Sequence, residues 1–133
     1  MEICIDFDGT CVTHDYPNIG KDIGAVSVLR QLIEKGHRLI LFTMRGDRVN
    51  DDLTMGTTLT NAINWFKEND IPLYGINRNP DQRSWTTSPK AYAQLYIDDA
   101  ALGCPLTSDL VISDRPFVDW YEVLNLLIDK GIL

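Results

Sequence analysis

Two aspartates one residue apart end the first apolar run of the chain, in the stretch MEICIDFDGTC. If that run is a strand, Asp6 and Asp8 point to the same side, because alternate side chains of a strand share a face. Their carboxylates would then lie roughly 6–7 Å apart, twice the rise per residue. Their repulsion costs about 2–3 kcal/mol at an effective dielectric of about 20, so a bound proton or a cation is expected to offset it. A turn at Asp8-Gly9 is the alternative, but it leaves Asp6 unexplained.

A second acidic pair, Asp98 and Asp99, follows another apolar run in the stretch LYIDDAALG. A solvated turn after an edge strand is the alternative interpretation of this pair. Carboxylate oxygens are the ligands that hard divalent cations prefer, and magnesium suits a site that shares carboxylates with a phosphate. We therefore expect Asp6, Asp8, Asp98 and Asp99 to surround a Mg²⁺ ion.

Three further residues are candidates for holding an anion. Ser88 and Pro89 are typical of a helix cap and a first helical residue, which would place Lys90 in the first turn. The helix dipole disfavours a lysine there by ~0.3–1 kcal/mol, and a bound anion would reverse that sign. Thr43 ends the run LILFT, where its hydroxyl and the following amides could hold a phosphate oxygen. Arg45 follows in a polar loop, where a solvated charge is the alternative to a substrate contact.

An alternation of strands and helices is predicted to bring these residues together. The hydrophobic patterns predict strands at about 2–7, 37–43, 71–76, 94–98 and 110–112, and helices at about 22–35, from Thr57 or Thr58 onward, from Ser88 onward and at about 117–130. Such alternation favours a five-stranded, mainly parallel sheet covered on both faces. Ligands of such sheets bind at the carboxyl ends of the strands, where the candidate residues lie. The chain is therefore expected to form one α/β domain, residues 1–133.

The composition limits the classes of protein that the chain could be. Its 133 residues carry a formal net charge of −7, which argues against binding nucleic acid through bulk positive charge but leaves room for a local basic site. Cys4, Cys11 and Cys104 lack metal-binding spacing and are expected to be reduced thiols of a cytoplasmic protein. No signal peptide is expected, and no apolar stretch approaches the ~20 residues that span a bilayer. His14 and His37 show no ligand spacing and are assigned no role.

Four short stretches, taken in chain order, resemble the four motifs of the haloacid dehalogenase superfamily: DFDGT, the Thr of LILFTMR, the Lys of SPKAYAQ and the DD of LYIDDAALG. The resemblance covers essentially the whole chain. It implies a Rossmann-like three-layer sandwich, a magnesium cofactor and an aspartyl-phosphate intermediate. Asp6 would be the nucleophile and a metal ligand, and Asp8 would be the general acid/base and bind the metal through its backbone carbonyl.

The same resemblance implies roles for the other three motifs. Thr43 and Lys90 would hold the phosphoryl group, and Asp98 would complete the metal site. Asp99 would be a further ligand or a neighbour of the ligands. The second aspartate of DFDGT is typical of the superfamily's phosphatases, because its dehalogenases lack this residue and its ATP-driven pumps carry threonine there.

The spacing of the motifs leaves no room for the cap domain that many members of the superfamily insert. A capless enzyme is therefore expected, with a site shaped by the loops at 45–56 and 77–88 or by a second copy in a homo-oligomer. The expected function is magnesium-dependent hydrolysis of a phosphate monoester whose identity the sequence does not reveal. A catalytically weak regulatory or phosphate-binding member is the alternative. A receiver domain of signal transduction ranks lower, because the third predicted strand ends in YGIN without a phosphoacceptor aspartate.

Overall fold

The computed structural model describes residues 1–47 and 56–133. The elements are β1 (Glu2–Ile5), α1 (Ala25–Glu34), β2 (Arg38–Leu41), α2 (Thr58–Glu68), β3 (Leu73–Ile76), β4 (Leu95–Ile97), β5 (Leu106–Thr107), β6 (Phe117–Val118) and α3 (Trp120–Asp129), with a short 3-10 helix at Gln82–Ser84. The predicted alternation of strands and helices is confirmed from β1 to β3, although the strands are shorter than predicted. Part of the loop expected to shape the site, 45–56, lies outside the described residues.

Four parallel strands form the main sheet, in the order β3-β2-β1-β4. The central strand β1 pairs on both sides, so that Ile3 lies opposite Leu39 on β2 and Leu95 on β4. The chain runs outward from β1 to β3 and then returns to the far side of β1 as β4. The carboxyl ends of β1 and β4 therefore adjoin where the strand order reverses, which is the usual place for a ligand in an open α/β sheet.

The predicted fifth strand at 110–112 is wrong. The backbone amides of Ile112 and Ser113 donate to the carbonyl of Asp109, and that of Val111 donates to the Asp109 side chain. This turn uses the amides that a strand would have paired, and Leu110 and Val111 are 83% and 87% exposed. In place of a fifth parallel strand, β5 and β6 form a separate antiparallel pair. Within residues 1–47 and 56–133, the main sheet therefore has four strands and not five.

Both faces of the sheet are covered, but by different kinds of structure. Three consecutive residues are buried in β1 and in β2, as expected for strands with no solvated face. On one face, the main core joins Ile3 and Ile5 to apolar residues from all three helices. On the other face, Cys4 and Ile40 pack against Ala91 with help from partly buried neighbours. The second face is thus covered by an extended segment rather than by a layer of helices.

The helix predicted to begin at Ser88 is not formed, which corrects the placement of Lys90. The buried side chain of Gln82 donates to the carbonyls of Ser88 and Lys90 and accepts from the amide of Tyr92. These bonds replace those that a helix would make with its own backbone. Lys90 is consequently an exposed loop residue, and the argument from a helix dipole does not apply to it.

Three smaller expectations can be compared with the fold. Gly36 and Gly131 follow α1 and α3 with φ of 90° and 72°, so the predicted helix ends are confirmed. Cys4, Cys11 and Cys104 are free thiols, and burial raises the pKa of Cys4 to about 11. Within residues 1–47 and 56–133, no helix has the length and apolar character needed to cross a membrane.

Candidate active site at the carboxyl edge of the sheet

Three carboxylates meet where β1 and β4 end. The Asp6 amide donates to the carbonyl of Ile97 at 3.0 Å, which extends the pairing of β1 with β4 by one residue and brings the strand ends together. Carboxylate oxygens of Asp6, Asp98 and Asp99 consequently lie within 4.8 Å of one another. The sequence predicted convergence of four carboxylates, and the structure brings three of them into one cluster.

The cluster has an unfavourable charge balance at neutral pH. Burial raises the pKa of Asp6 from 3.8 to about 7, and the negative charge of Asp98 acts in the same direction. A hydrogen bond from the Thr10 hydroxyl, at 2.8 Å, lowers this pKa but does not outweigh the burial. A divalent cation would remove the repulsion, and three carboxylate oxygens are the donor set that suits a hard ion such as Mg²⁺.

Asp8 is compensated in a different way from Asp6. Its two carboxylate oxygens accept from Arg45, at 2.7 Å from Nη2 and 2.8 Å from Nε. This bidentate geometry is the strong form of an arginine–carboxylate pair. The Asp8 side chain is absent from the described cluster of Asp6, Asp98 and Asp99. The positive charge next to Asp8 comes from the Arg45 guanidinium rather than from the metal ion that the sequence led us to expect.

Arg45 is buried, with 3% of its surface exposed, so its interpretation as a solvated loop charge is wrong. Besides the two bonds to Asp8, its guanidinium donates to the carbonyls of Pro17, Asn18 and Thr58. These contacts occupy all five of its N–H groups. In this conformation Arg45 has no donor left for a phosphate, and it instead ties Asp8 to the 17–18 loop and to the start of α2.

His14 is a site residue that the sequence analysis missed. Its Nε2 lies 2.9 Å from Oδ2 of Asp99, although 85 positions separate the two residues. The approach depends on Gly9, whose φ is +78° and where a Cβ atom would lie 2.0 Å from His14 Nε2 and 2.6 Å from Asp99 Oδ2. The glycine of DFDGT therefore makes room for His14, but no local spacing in the sequence signals the contact.

Thr10 links the two halves of the carboxylate cluster. Its hydroxyl donates to Asp6 Oδ2 at 2.8 Å and accepts from the amide of Asp99 at 3.0 Å. The residue is fully buried. Because Asp6 follows β1 and Asp99 follows β4, the two hydrogen bonds of Thr10 fix the relative position of the ends of these strands. Both partners are candidate metal ligands.

Thr43 follows β2, beside the end of β1, as predicted. Its amide donates to Oδ1 of Asn77 at 2.8 Å, and its hydroxyl oxygen accepts from the Arg45 amide at 3.1 Å. Asn77 follows β3 in the left-handed region, with φ of 56°, which asparagine tolerates better than most residues. Asn77 is therefore a second residue that the sequence analysis missed, and it holds Thr43 in place.

Lys90 lies close to a residue that lines the acidic site. Its Nζ is 5.4 Å from the centre of the Tyr96 ring. Tyr96, in turn, lines a cavity of about 200 Å³ together with Asp6 and Asp98. Lys90 therefore lies beside a residue that lines this cavity, and its position does not depend on a helix terminus.

The fold and site together define an α/β protein with an acidic cluster at the point where a parallel sheet reverses its strand order. The chain matches no family model and no curated protein. It is similar to a solved structure of a conserved protein coded by a locus from Bacteroides thetaiotaomicron, with 32% identity and a TM-score of 0.71. The similarity covers 98% of this chain and 91% of that chain. The chain belongs to the same family as this Bacteroides protein.

Proposed function

We propose that the protein is a magnesium-dependent phosphatase of the haloacid dehalogenase type, which hydrolyses a phosphate monoester through an aspartyl-phosphate on Asp6. The observation that carries the proposal is the clustering of Asp6, Asp98 and Asp99 at the reversal point of the sheet. Three half-buried carboxylates whose oxygens lie within 4.8 Å of one another repel each other when ionised, which destabilises the fold unless a bound group offsets their charge. A site that binds a cation and a phosphoryl group gains from the same arrangement. The proposal includes a capless, Rossmann-like core.

The donor set fits the metal that the proposal requires. Asp6, Asp98 and Asp99 would hold Mg²⁺, with the backbone carbonyl of Asp8 as a further oxygen ligand. When bound, the ion supplies positive charge that offsets these carboxylates and the oxygens of a phosphoryl group.

In this proposal Asp6 is the nucleophile that attacks phosphorus. Its carboxylate oxygen would form the bond to phosphorus as the bond from phosphorus to the ester oxygen breaks, and water would then hydrolyse the acyl phosphate. The Thr10 hydrogen bond fixes the orientation of the carboxylate. Lys90 and the Thr43 hydroxyl, whose proton is free to donate, would hold the phosphoryl oxygens, because phosphoryl transfer depends mainly on positioning and charge neutralisation.

Asp8 would transfer the protons of both steps. It would protonate the leaving ester oxygen and then accept a proton from the attacking water. Both of its oxygens accept from Arg45, and each oxygen keeps a second lone pair that could take the proton. Arg45 is therefore a positioning residue for Asp8 in this proposal, and not a ligand of the substrate.

The pair of Asp8 and Arg45 also favours a second candidate function. A protein whose proton-transfer carboxylate remains paired with an arginine would bind phosphate at the same site but hydrolyse phosphate esters slowly. Such a regulatory or phosphate-binding protein would share the metal site and the fold. Turnover of an activated ester separates the two functions.

The deciding experiment measures hydrolysis of p-nitrophenyl phosphate with Mg²⁺ by wild type and Asp6→Asn. We expect kcat/KM to fall by several orders of magnitude, because the amide cannot attack phosphorus. The exposed variant Asp70→Asn is a matched control and should keep wild-type activity. Circular dichroism establishes that each variant is folded. Wild-type turnover by a folded Asp6→Asn protein would exclude Asp6 as the nucleophile.

A trapping experiment tests the alternative function. Asp8→Asn should still be phosphorylated by p-nitrophenyl phosphate, whose leaving group needs little protonation, and should lose the phosphoryl group slowly. Mass spectrometry of quenched protein detects the added phosphoryl mass. If phosphate and Mg²⁺ raise the melting temperature of wild type while no ester is hydrolysed, the phosphate-binding function is the correct one.

A further inference from the structure

A cavity of about 650 Å³ lies in the loop that connects β3 to β4. Two arginines, Arg78 and Arg83, and three residues with hydroxyl groups, Thr86, Thr87 and Ser88, are among the residues that line it. Among the residues that the structure describes, no aspartate or glutamate lines the cavity. The chain as a whole carries a net charge of −7, so a described lining with two arginines and no acid differs in charge from the protein as a whole.

The loop has a defined shape because two buried polar side chains hold it. Gln82 bonds to the backbone of Ser88, Lys90 and Tyr92. Asn79 donates to the carbonyl of Tyr92 at 3.1 Å and accepts from the amide of Asp81 at 3.0 Å. The ordering of the loop is therefore achieved when the protein folds, and a ligand would not bear that entropic cost.

The two ends of the loop that forms the cavity adjoin, along the chain, residues connected with the proposed phosphoryl site. The loop begins at Arg78, directly after Asn77, whose side chain accepts from the amide of Thr43. It ends at Pro89, directly before Lys90. At Gly75 a Cβ atom would lie 2.3 Å from the carbonyl oxygen of Arg78, so the loop folds back closely onto β3. Arg78 and Pro89, which line the cavity at the two ends of the loop, are therefore chain neighbours of Asn77 and Lys90.

The two arginines are available to a ligand. Among the residues that the structure describes, Arg38 pairs with Glu2 and Arg45 pairs with Asp8, whereas Arg78 and Arg83 are in no ion pair. Asp81, the acid of the same loop, accepts a hydrogen bond from the Tyr74 hydroxyl. Arginine presents a planar set of donors that matches the oxygens of a phosphate.

We propose that this cavity binds a second phosphate group of the substrate, so that the substrate is a phosphate monoester that carries another phosphate. Arg78 and Arg83 contact the second phosphate while the first lies at Asp6. The inference rests on the proposed function for the identity of the first site. The second phosphate has two chemical sources, a small bisphosphorylated molecule and the phosphodiester next to the end of a nucleic acid.

The test compares matched pairs of substrates. Fructose 1,6-bisphosphate is compared with fructose 6-phosphate, and a 5′-phosphorylated tetrathymidylate with thymidine 5′-monophosphate. The measured quantity is the ratio of kcat/KM within each pair, for wild type, for the double variant Arg78→Gln/Arg83→Gln and for Arg30→Gln. Arg30 is a surface arginine of α1 that bonds to the carbonyl of Asn69, so it controls for the loss of a positive charge elsewhere.

In one of the two pairs, we expect wild type and Arg30→Gln to prefer the substrate with the second phosphate by about tenfold or more, as for one charge-assisted contact. The double variant should reduce this ratio to near unity. The pair that shows the effect identifies the source of the second phosphate. A ratio near unity for wild type in both pairs, or an unchanged ratio in the double variant, would overturn the proposal.

Binding measurements separate this inference from the proposed function. Titration calorimetry with Asp6→Asn compares the affinities of the same probes in the absence of turnover, with and without the two arginine substitutions. Arginine-dependent preference for the second phosphate, in a protein whose wild type hydrolyses no ester, would reject the phosphatase and keep the cavity assignment. Hydrolysis of p-nitrophenyl phosphate with no such preference would reject the cavity assignment alone.

Discussion

Two regions of the molecule each group charges of one sign, but in different surroundings. The acidic edge, formed by Asp6, Asp98 and Asp99, holds half-buried negative charges, and the basic loop, residues 78–90, holds exposed positive charges. The acidic edge places carboxylate oxygens within 4.8 Å of one another and partly buries them. The basic loop leaves Arg78 and Arg83 exposed and buries only neutral side chains, Asn79 and Gln82. Exposed charges cost a fold little, whereas buried like charges oppose it.

The comparison shows where ligand-dependent stability should reside. At the acidic edge, the pKa of Asp6 is raised by burial and by the charge of Asp98, because no cationic side chain contacts it among the described residues. Asp8, two positions further on, is neutralised by buried Arg45. The basic loop is held by hydrogen bonds of neutral amides, so its stability should depend little on pH or on a bound ion.

The largest expected effect contrasts a buried arginine with an exposed one. Arg45→Met leaves the carboxylate of Asp8 without its partner, and removal of one member of a buried pair costs about 3–5 kcal/mol. Arg83→Met removes an exposed charge and should change the free energy of unfolding by less than ~0.5 kcal/mol. Urea unfolding monitored by circular dichroism measures both values. Equal values for the two variants would contradict the difference between the regions.

A double variant sharpens this measurement. Asp8→Asn/Arg45→Met removes the charge that Arg45→Met leaves uncompensated, so its cost should be smaller than the sum of the two single substitutions. The difference is the coupling energy of the pair. Additive costs would mean that Arg45 stabilises the fold through the carbonyls of Pro17, Asn18 and Thr58 alone.

The next effect is the pH dependence of stability without metal. Asp6 has a pKa of about 7 in the folded protein, above its ordinary value of 3.8, so the folded state retains a proton that the unfolded chain releases. The contribution of Asp6 to stability is therefore fully present below about pH 4 and declines as the pH rises through 7. Asp6→Asn should remove this decline, which amounts to a few kcal/mol. Equal pH slopes for wild type and Asp6→Asn would show that Asp6 does not carry it.

Magnesium should reverse this dependence at high pH. Because the ion binds the charged carboxylates of the folded protein, it should stabilise wild type most above pH 7, by about 2.7 kcal/mol at 100 times its dissociation constant. Asp6→Asn should lose most of this gain. Arg78→Gln/Arg83→Gln should retain it, since the basic loop contributes no ligand to the ion. A full magnesium response in Asp6→Asn would place the ion elsewhere.

The smallest expected effect concerns His14, whose Nε2 lies 2.9 Å from Oδ2 of Asp99. His14→Gln should weaken Mg²⁺ binding about tenfold, as removal of a partner of a metal ligand does. His37, which contacts the amino terminus and the carbonyl of Ile132, supplies the control, since His37→Gln should leave the magnesium affinity unchanged. Calorimetric titration with Mg²⁺ measures both affinities. A similar affinity for the two variants would mean that Asp99 needs no support from His14.

The sequence alone determined the class of fold and the position of the acidic edge. Apolar runs that end in Asp6 and in Asp98 predict parallel strands, and the carboxyl ends of parallel strands share one edge of the sheet. This inference needs only the residue at which each predicted strand ends and the order of strands and helices along the chain. Both depend on hydrophobic periodicity and on short connections, which are local properties of the chain.

The tertiary structure alone decided how each charge is satisfied. Arg45 reaches Asp8 across 37 positions, and His14 reaches Asp99 across 85. The Gln82 side chain makes hydrogen bonds with the backbone of residues 88–92, where the sequence predicted a helix. The Asp109 side chain accepts from the amide of Val111, in the turn that replaces the strand predicted at 110–112. These contacts pair side chains with partners that no periodicity specifies, because their geometry arises only when distant loops pack against one sheet edge. The sequence therefore located the carboxylates, and the fold determined that Asp8 meets an arginine while Asp6 meets other acids.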